Sequence, residues 1–243
     1  MSRLWALVPL KNLSGAKTRL AQALTDSRRM ALVMAMAHDV VAALARSRSV
    51  ERVALVSDIP DLPRQIGVAG VVSHPGAGQR GLNEDLAAAA LWAGGQGASH
   101  VLIAHADLPL LTPGLIDRFA ASAPAGGLRA ACCKHGSGTN LLLAPLPLPL
   151  PLVYGAGSLA RFRSLAGAAG LPFDVRRDPL LAADIDEPAD YEALRLHCAR
   201  GGGRDSATAS LLRRDPDCMP RTDIQSELRS RAIFREGLAL SSG

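Results

Sequence analysis

The chain holds three lysines, and two of them, Lys11 and Lys17, share one loop with Arg19. That loop follows an apolar run, Leu4–Val8, which stops at Pro9. A short buried strand that delivers three cations into a loop with Ser14 and Gly15 suits a polyanion, most naturally a nucleoside triphosphate. A solvated basic loop is the plainer alternative. Gly15-Ala16-Lys17-Thr18 is not a P-loop, because that motif needs Gly directly before Lys and another Gly five residues earlier, where Pro9–Leu13 has none. No GxGxxG follows the first apolar run either, which removes most support for a Rossmann dinucleotide site.

The carboxylates that could complement those cations fall in two places. Asp107 follows the apolar run His100–Ala104 in HVLIAHADLPLL. An acid at the carboxyl end of a central parallel strand stands at the crevice where α/β sheets bind ligands, and it suits Mg²⁺, a hard cation that takes oxygen donors alongside phosphates. A turn or N-cap role is the alternative. Asp184 and Asp186 alternate in ADIDEPAD, which puts both carboxylates on one face of an extended segment. They either complete a metal site with Asp107 or cap the helix that starts at Pro188. Glu187 and Asp190 fall in that helix's first turn, where the helix dipole accounts for them.

Small-residue turns supply a second anion cradle in two pieces, Gly136-Ser137-Gly138-Thr139-Asn140 and Tyr154-Gly155-Ala156-Gly157-Ser158. The second piece opens a predicted helix, so Ser158 would combine a hydroxyl with free backbone N–H groups, and Arg161 lies a turn further on. Asn83 and Glu84, at another helix entry, could read a purine or its ribose, with capping an equal alternative for Asn83. His38, His74, His105 and His135 have no Ser or Cys partner at useful spacing and receive no catalytic role. No nucleophile elbow is present.

These residues need a scaffold, and the hydropathy pattern predicts one. Apolar strand-like runs (Leu4–Val8, Arg52–Ser57, Gly70–Ser73, His100–Ala104 and Arg129–Cys133, with weaker Thr139–Ala144 and Phe173–Val175) alternate with helical segments. The helices are Asp26–Arg46, Asn83–Ala93, Pro113–Ala121, Ser158–Ala169 and Pro188–Cys198. Alternation of this kind predicts a mostly parallel mixed sheet covered on both faces. Ala144–Pro151, APLPLPLP, has Pro at every second position, so it should run extended as an edge or connection outside any central ladder. From Arg200 the GGGRDSATAS stretch reads as a linker. The expected division is therefore a domain over 1–199 and a flexible tail over 200–243.

Composition narrows the partners. Net charge is +5 and aromatics make up 3%, too mild and too poor in stacking residues for nucleic-acid binding. Cys132, Cys133, Cys198 and Cys218 show neither ligand spacing nor a disulfide pattern, which fits reduced thiols in a cytoplasmic protein. Cations interrupt any N-terminal apolar stretch, and no run approaches the roughly 18 residues that span a membrane. The sequence is compatible with a homodimer.

Taken in order, VPLKNLSGAKTRLA, GLNEDL, ADLPLL, GTNLLL, YGAGS and DIDEPAD resemble the guanylyltransferase family of deazaflavin coenzyme F-420 biosynthesis, over roughly Leu4 to Leu194. The resemblance implies a single GT-A-like, Rossmann-like nucleotidyltransferase domain that uses GTP and Mg²⁺. It implies transfer of GMP to the phosphate of a three-carbon phospho-acid: 3-phospho-D-glycerate, phosphoenolpyruvate or 2-phospho-L-lactate. By motif, Lys11, Lys17 and Arg19 resemble the triphosphate-binding cations. Asp107, Asp184 and Asp186 resemble the metal carboxylates, and Thr139, Gly155 and Ser158 resemble the acceptor-binding positions. A nucleotidyltransferase for a sugar phosphate or a molybdenum-cofactor precursor, and a non-catalytic nucleotide-binding regulator, are the competing readings.

Overall fold

The computed structural model describes residues 3–11, 17–59, 61–74, 80–121 and 124–214. The expectations for residues 12–16, for Cys218 and for the tail over 215–243 lie outside the described residues. Strands β1 (Leu4–Pro9), β2 (Arg52–Val56), β3 (Val72–Ser73), β4 (His100–Ala104), β5 (Leu128–Cys132), β6 (Thr139–Pro145) and β7 (Phe173–Arg176) form one sheet in the order β3-β2-β1-β4-β6-β5-β7. Helices α1 (Asp26–Arg46), α2 (Leu62–Ile66), α3 (Leu82–Gly95), α4 (Pro113–Ala121), α5 (Ser158–Ala168), α6 (Pro188–Ala199) and α7 (Ala207–Arg214) flank it, with a 3-10 turn at Thr18–Gln22.

The pleat explains how the sheet is covered. Along β1, Leu4, Ala6 and Val8 point into one core, shared with α1, α4 and α6, while Trp5 and Leu7 point into the other, shared with α3 and α5. Both faces are apolar because both are buried. β1 pairs in parallel with β2 on one side and β4 on the other, Ala6 facing Val53 and Leu102.

β6 alone runs against its neighbours, antiparallel to both β4 and β5. Reversing one strand has a direct consequence: the start of β6, at Thr139, reaches the same edge as the carboxyl ends of β1, β4 and β5. Thr139–Ala144, a weak strand by pattern, is thus central to the sheet. The ladder also takes in two residues of the proline-alternating stretch, Val101 facing Ala144 and His100 facing Pro145, which corrects the expectation that this stretch stays wholly outside. The rest behaves as its period-two pattern requires. Pro147, Pro149 and Pro151 are exposed, while Leu150 and Leu152 are buried in the α3/α5 core.

The packed body also extends beyond Ala199. After Gly201–Gly203, helix α7 lies against α1, with Ala209 and Leu212 buried. Its first N–H groups are all satisfied. Ala207 and Thr208 donate to Asp39 of α1 at 2.7 and 2.9 Å, and Ala209 donates to Ser206 Oγ at 3.0 Å. The glycines hid this helix, since they read as a linker, and its cap is supplied from another helix. Asp39→Ala should therefore lower unfolding stability by about 1–2 kcal/mol, measured by urea denaturation.

Candidate active site

The carboxyl edge of the sheet gathers the predicted residues from separate elements. Lys11 follows β1, Lys17 opens the 3-10 turn, Asp107 follows β4, and Asp186 precedes α6. The Lys17 ammonium contacts Asp107 and lies 2.5 Å from Asp186 Oδ1. To reach them Lys17 adopts a left-handed backbone, φ 55° and ψ 44°, which a non-glycine residue holds only where its surroundings impose it. Its side chain is 12% exposed. Burial opposes the ammonium's charge, but Asp107 and Asp186 outweigh it and hold the Lys17 pKa above its ordinary value.

Asp107 shows the complementary balance. Burial pushes its carboxyl upward, yet Lys17 and then His105 outweigh burial and keep it below the ordinary carboxylate range. Its Oδ1 is buried without a partner among the described residues. Asp184 differs in that, among the described residues, no lysine ammonium pairs with it. Asn140 Nδ2 donates to it at 3.2 Å and the Lys134 N–H at 3.4 Å. Burial, with the charges on Asp107 and Asp186, raises its pKa against the Asn140 bond.

Neither Asp107 nor the Asp184/Asp186 pair is needed as a cap. Helix α6 is capped by Glu187 in a capping box with Asp190, and α4 by Thr112, whose Oγ1 accepts from the Leu115 N–H at 3.3 Å. Among the described residues no three His, Cys, Asp or Glu side chains already converge as a metal cage. The Lys17 ammonium instead joins Asp107 to Asp186. The donors still suit a hard divalent cation: all are oxygens, Asp107 Oδ1 lacks a partner, and Asp184 carries charge that its neighbours resist.

The acceptor-side residues also meet. Ser158 Oγ donates to Thr139 Oγ1 at 3.1 Å, both side chains buried, so the first residue of α5 touches the first residue of β6. Gly155, at φ 121°, and Gly157, at φ 68°, turn the chain into α5 in conformations that side chains disfavour, and a Cβ on Gly155 would come 3.1 Å from Arg161 Nη2. One expectation needs correcting. The backbone N–H of Ser158 donates to Gly155 O and that of Leu159 to Ser137 O, both at 3.1 Å. Those two N–H groups are therefore occupied within the chain.

Other predicted residues stand apart from the cluster. Lys11 pairs with Asp85, a buried acid in the first turn of α3. Arg19 is 74% exposed at the rim, 3.9 Å from Glu187. Glu84 is exposed and folds back over Gly81, the N-cap of α3. Asn83 makes no cap. Its Nδ2 donates to Tyr154 O at 3.2 Å and its Oδ1 accepts from the Tyr154 N–H at 2.7 Å, so its amide braces the acceptor turn instead of facing a base.

Sequence reasoning gave no role to Lys134, Asp85 and His105. Lys134 contacts Asp190, so each of the three lysines meets an aspartate at this edge; its rarity was the available signal. The His105 ring packs 5.3 Å from that of Tyr154, whose hydroxyl is buried without a partner among the described residues.

Solved structures share this fold. A nucleotide-diphospho-sugar transferase structure from Desulfovibrio desulfuricans G20 shares the fold at TM-score 0.73 and 19% identity, covering 90% of this chain and 97% of its own. A manganese complex from Mycobacterium tuberculosis H37Rv shares it at TM-score 0.51 and 17% identity, covering 79% and 97%. Over residues 4–214 the chain matches the profile described as "Guanylyl transferase CofC like", and it belongs to that family. A phosphoenolpyruvate guanylyltransferase from Sphaerobacter thermophilus is 38% identical over 204 residues, covering 83% of this chain and 97% of the relative. The chain is thus a nucleotidyltransferase of the guanylyl-transferring type.

The raised pKa of Asp184 sets a testable sign. A carboxyl whose folded pKa lies above its unfolded value near ~3.9 costs stability when ionised, and the cost fades as pH falls through the folded pKa. Asp184→Asn, which keeps an acceptor oxygen, should raise the Tm at pH 7 without added metal. The gain should shrink toward pH 4 in thermal melts across that range.

Proposed function

We propose that the protein transfers GMP from GTP to the phosphate of phosphoenolpyruvate, releasing pyrophosphate, as a step of coenzyme F-420 biosynthesis in the cytoplasm. The observation that carries this reading is the meeting, on one sheet edge, of a cation-and-carboxylate cluster with a separate pair of buried hydroxyls. Asn140 links the two, since it adjoins Thr139 in sequence and donates to Asp184. One half suits a metal-bound triphosphate and the other a smaller phosphorylated acid.

Asp107, Asp184 and Asp186 would hold the divalent cation, with Mg²⁺ the proposed ion. When bound it supplies charge neutralisation for the triphosphate and for the departing pyrophosphate. Lys17 stays protonated throughout the working pH range and adds fixed positive charge beside the same carboxylates, with Lys11 and the exposed Arg19 completing the cationic side. Thr139 and Ser158 orient the acceptor, and Gly155 keeps the approach open. A phosphate monoester has a second pKa near ~6, so its oxygen is already anionic at neutral pH and needs no strong general base. Attack at the α-phosphorus then depends on placing two polyanions in line.

Pyrophosphate release with GTP, Mg²⁺ and each three-carbon acid in turn tests the reading, with phosphoenolpyruvate expected to exceed 2-phospho-L-lactate and 3-phospho-D-glycerate. Asp107→Asn should lower kcat by about 10²–10³-fold, the scale of losing one electrostatic stabiliser, with a native-like circular dichroism spectrum. Ser158→Ala should raise the KM for the acceptor more than that for GTP. The reverse pattern would undo the division between the two halves.

A further inference from the structure

We infer that Lys134 is a positioning residue for the reaction: paired with Asp190, it fixes the turn that carries Asp184 and Asp186 and thereby sets how tightly those carboxylates hold a divalent cation. The inference rests on the proposed cation role of Asp107, Asp184 and Asp186.

Three anchors define that turn, and Lys134 contributes to two of them. The Lys134 N–H reaches Asp184 Oδ1 at 3.4 Å. On the other side of Ile185, Asp190 Oδ2 accepts from the N–H of Asp186 at 3.0 Å and of Glu187 at 2.8 Å, and the same oxygen contacts the Lys134 ammonium. The third anchor is independent: the N–H of Ile185, itself fully buried, donates to Asp107 O at 3.2 Å. One residue just beyond β5 therefore grips the turn before and after its buried centre, while the end of β4 holds the middle.

Helix capping alone does not explain this arrangement. Asp190 completes the capping box of α6 through backbone N–H groups, and that task needs no lysine. Yet the side chains of Lys134 and Asp190 are only 7% and 3% exposed. Burying both charges carries a desolvation penalty that good pairing only offsets. The pair spans two elements, the β5–β6 connection and the start of α6, and its product is a fixed position for the acidic turn. Supports of this kind behind metal ligands typically affect affinity or activity by ~10–100-fold.

Electrostatics and positioning predict opposite outcomes, which makes the test sharp. Removing a positive charge near an acidic site should tighten cation binding if Lys134 acts only through its charge. If it positions the turn, removal should weaken binding. Mn²⁺ binding to the full-length protein without nucleotide, measured by electron paramagnetic resonance, should weaken about 10-fold in Lys134→Met. The kcat should fall by a similar factor, with the acceptor KM within about twofold. Lys134→Arg should recover most of the Mn²⁺ affinity, because a guanidinium can still pair with Asp190; a generic loss of packing would not be rescued this way.

Unchanged or tighter Mn²⁺ binding in folded Lys134→Met overturns the inference. If that variant does not fold, Lys134→Gln carries the same expectation, since it keeps a polar side chain against Asp190 but loses the charge and the reach that pair with it. Absence of Mn²⁺ binding by the unsubstituted protein would instead overturn the cation reading itself.

Discussion

Negative charge crowded onto one sheet edge is the constraint around which the rest of this structure is arranged. Asp85, Asp107 and the stretch holding Asp184, Asp186 and Asp190 come from three parts of the chain, and four of the five acids lie beside a lysine: Asp85 by Lys11, Asp107 and Asp186 by Lys17, Asp190 by Lys134. All three lysines of the chain are used this way, while arginine supplies the remaining positive charge. A compact ammonium on a flexible stem can sit between two carboxylates where a planar guanidinium fits less readily. Asp184 is the exception, held by neutral donors from Asn140 and the Lys134 backbone. Its charge is therefore the least compensated of the five, the condition a hard cation relieves best.

The reversal of β6 is what would let one edge serve the two ligands of the proposed reaction. In an all-parallel sheet only carboxyl ends reach the binding edge, and each is followed by a loop leading into a helix. Running β6 backwards brings the start of a strand to that edge, with Thr139 fixed by the ladder next to Asn140. The hairpin between β5 and β6 then carries Lys134 to the acidic turn. Helix α5 enters beside the same strand, and Ser158 meets Thr139 across the gap. Hydroxyls held on a strand and on a helix vary less in position than hydroxyls on a loop, which matters for an acceptor whose reacting oxygen must lie in line with a phosphorus.

Much of this was legible in the sequence because it depends on local chemistry. Helices α1 and α4 begin and end where periodicity and capping place them, and the core strands follow from their apolar runs. Lys17 was identifiable as a rare charge, Asp107 as a strand-terminal one and Asp186 by its alternation with Asp184, and the structure joins the three. What could not be read depends on tertiary placement. Helix α7 was hidden by glycines and is capped from α1 by Asp39. Asn83 looked like a base reader or a cap, but its amide is occupied by the backbone of Tyr154, 71 residues away. Asp190 looked like dipole compensation because nothing local reveals that Lys134 reaches it. The alternating Pro–Leu stretch was read correctly as extended, but its leucines proved to be core residues of the α3/α5 face.

In the proposed reaction, the two kinds of group at this edge would divide the physical work. Bringing a triphosphate and a phosphorylated acid together is opposed chiefly by charge, and side-chain hydrogen bonds alone do little against that repulsion. Fixed cations offset it continuously, which is why Lys17 gains from a pKa held up by its neighbours: its charge does not depend on pH near neutrality. Hydroxyls at Thr139 and Ser158 carry no charge and, in the proposed reading, would contribute direction instead. A site built this way needs no covalent intermediate and no proton-transfer residue. In that reading, catalysis would depend on how closely the carboxylates and hydroxyls keep their places. That requirement makes the buried contacts behind them, Asn83 with the Tyr154 backbone and Lys134 with Asp190, as consequential as the residues that face the ligands.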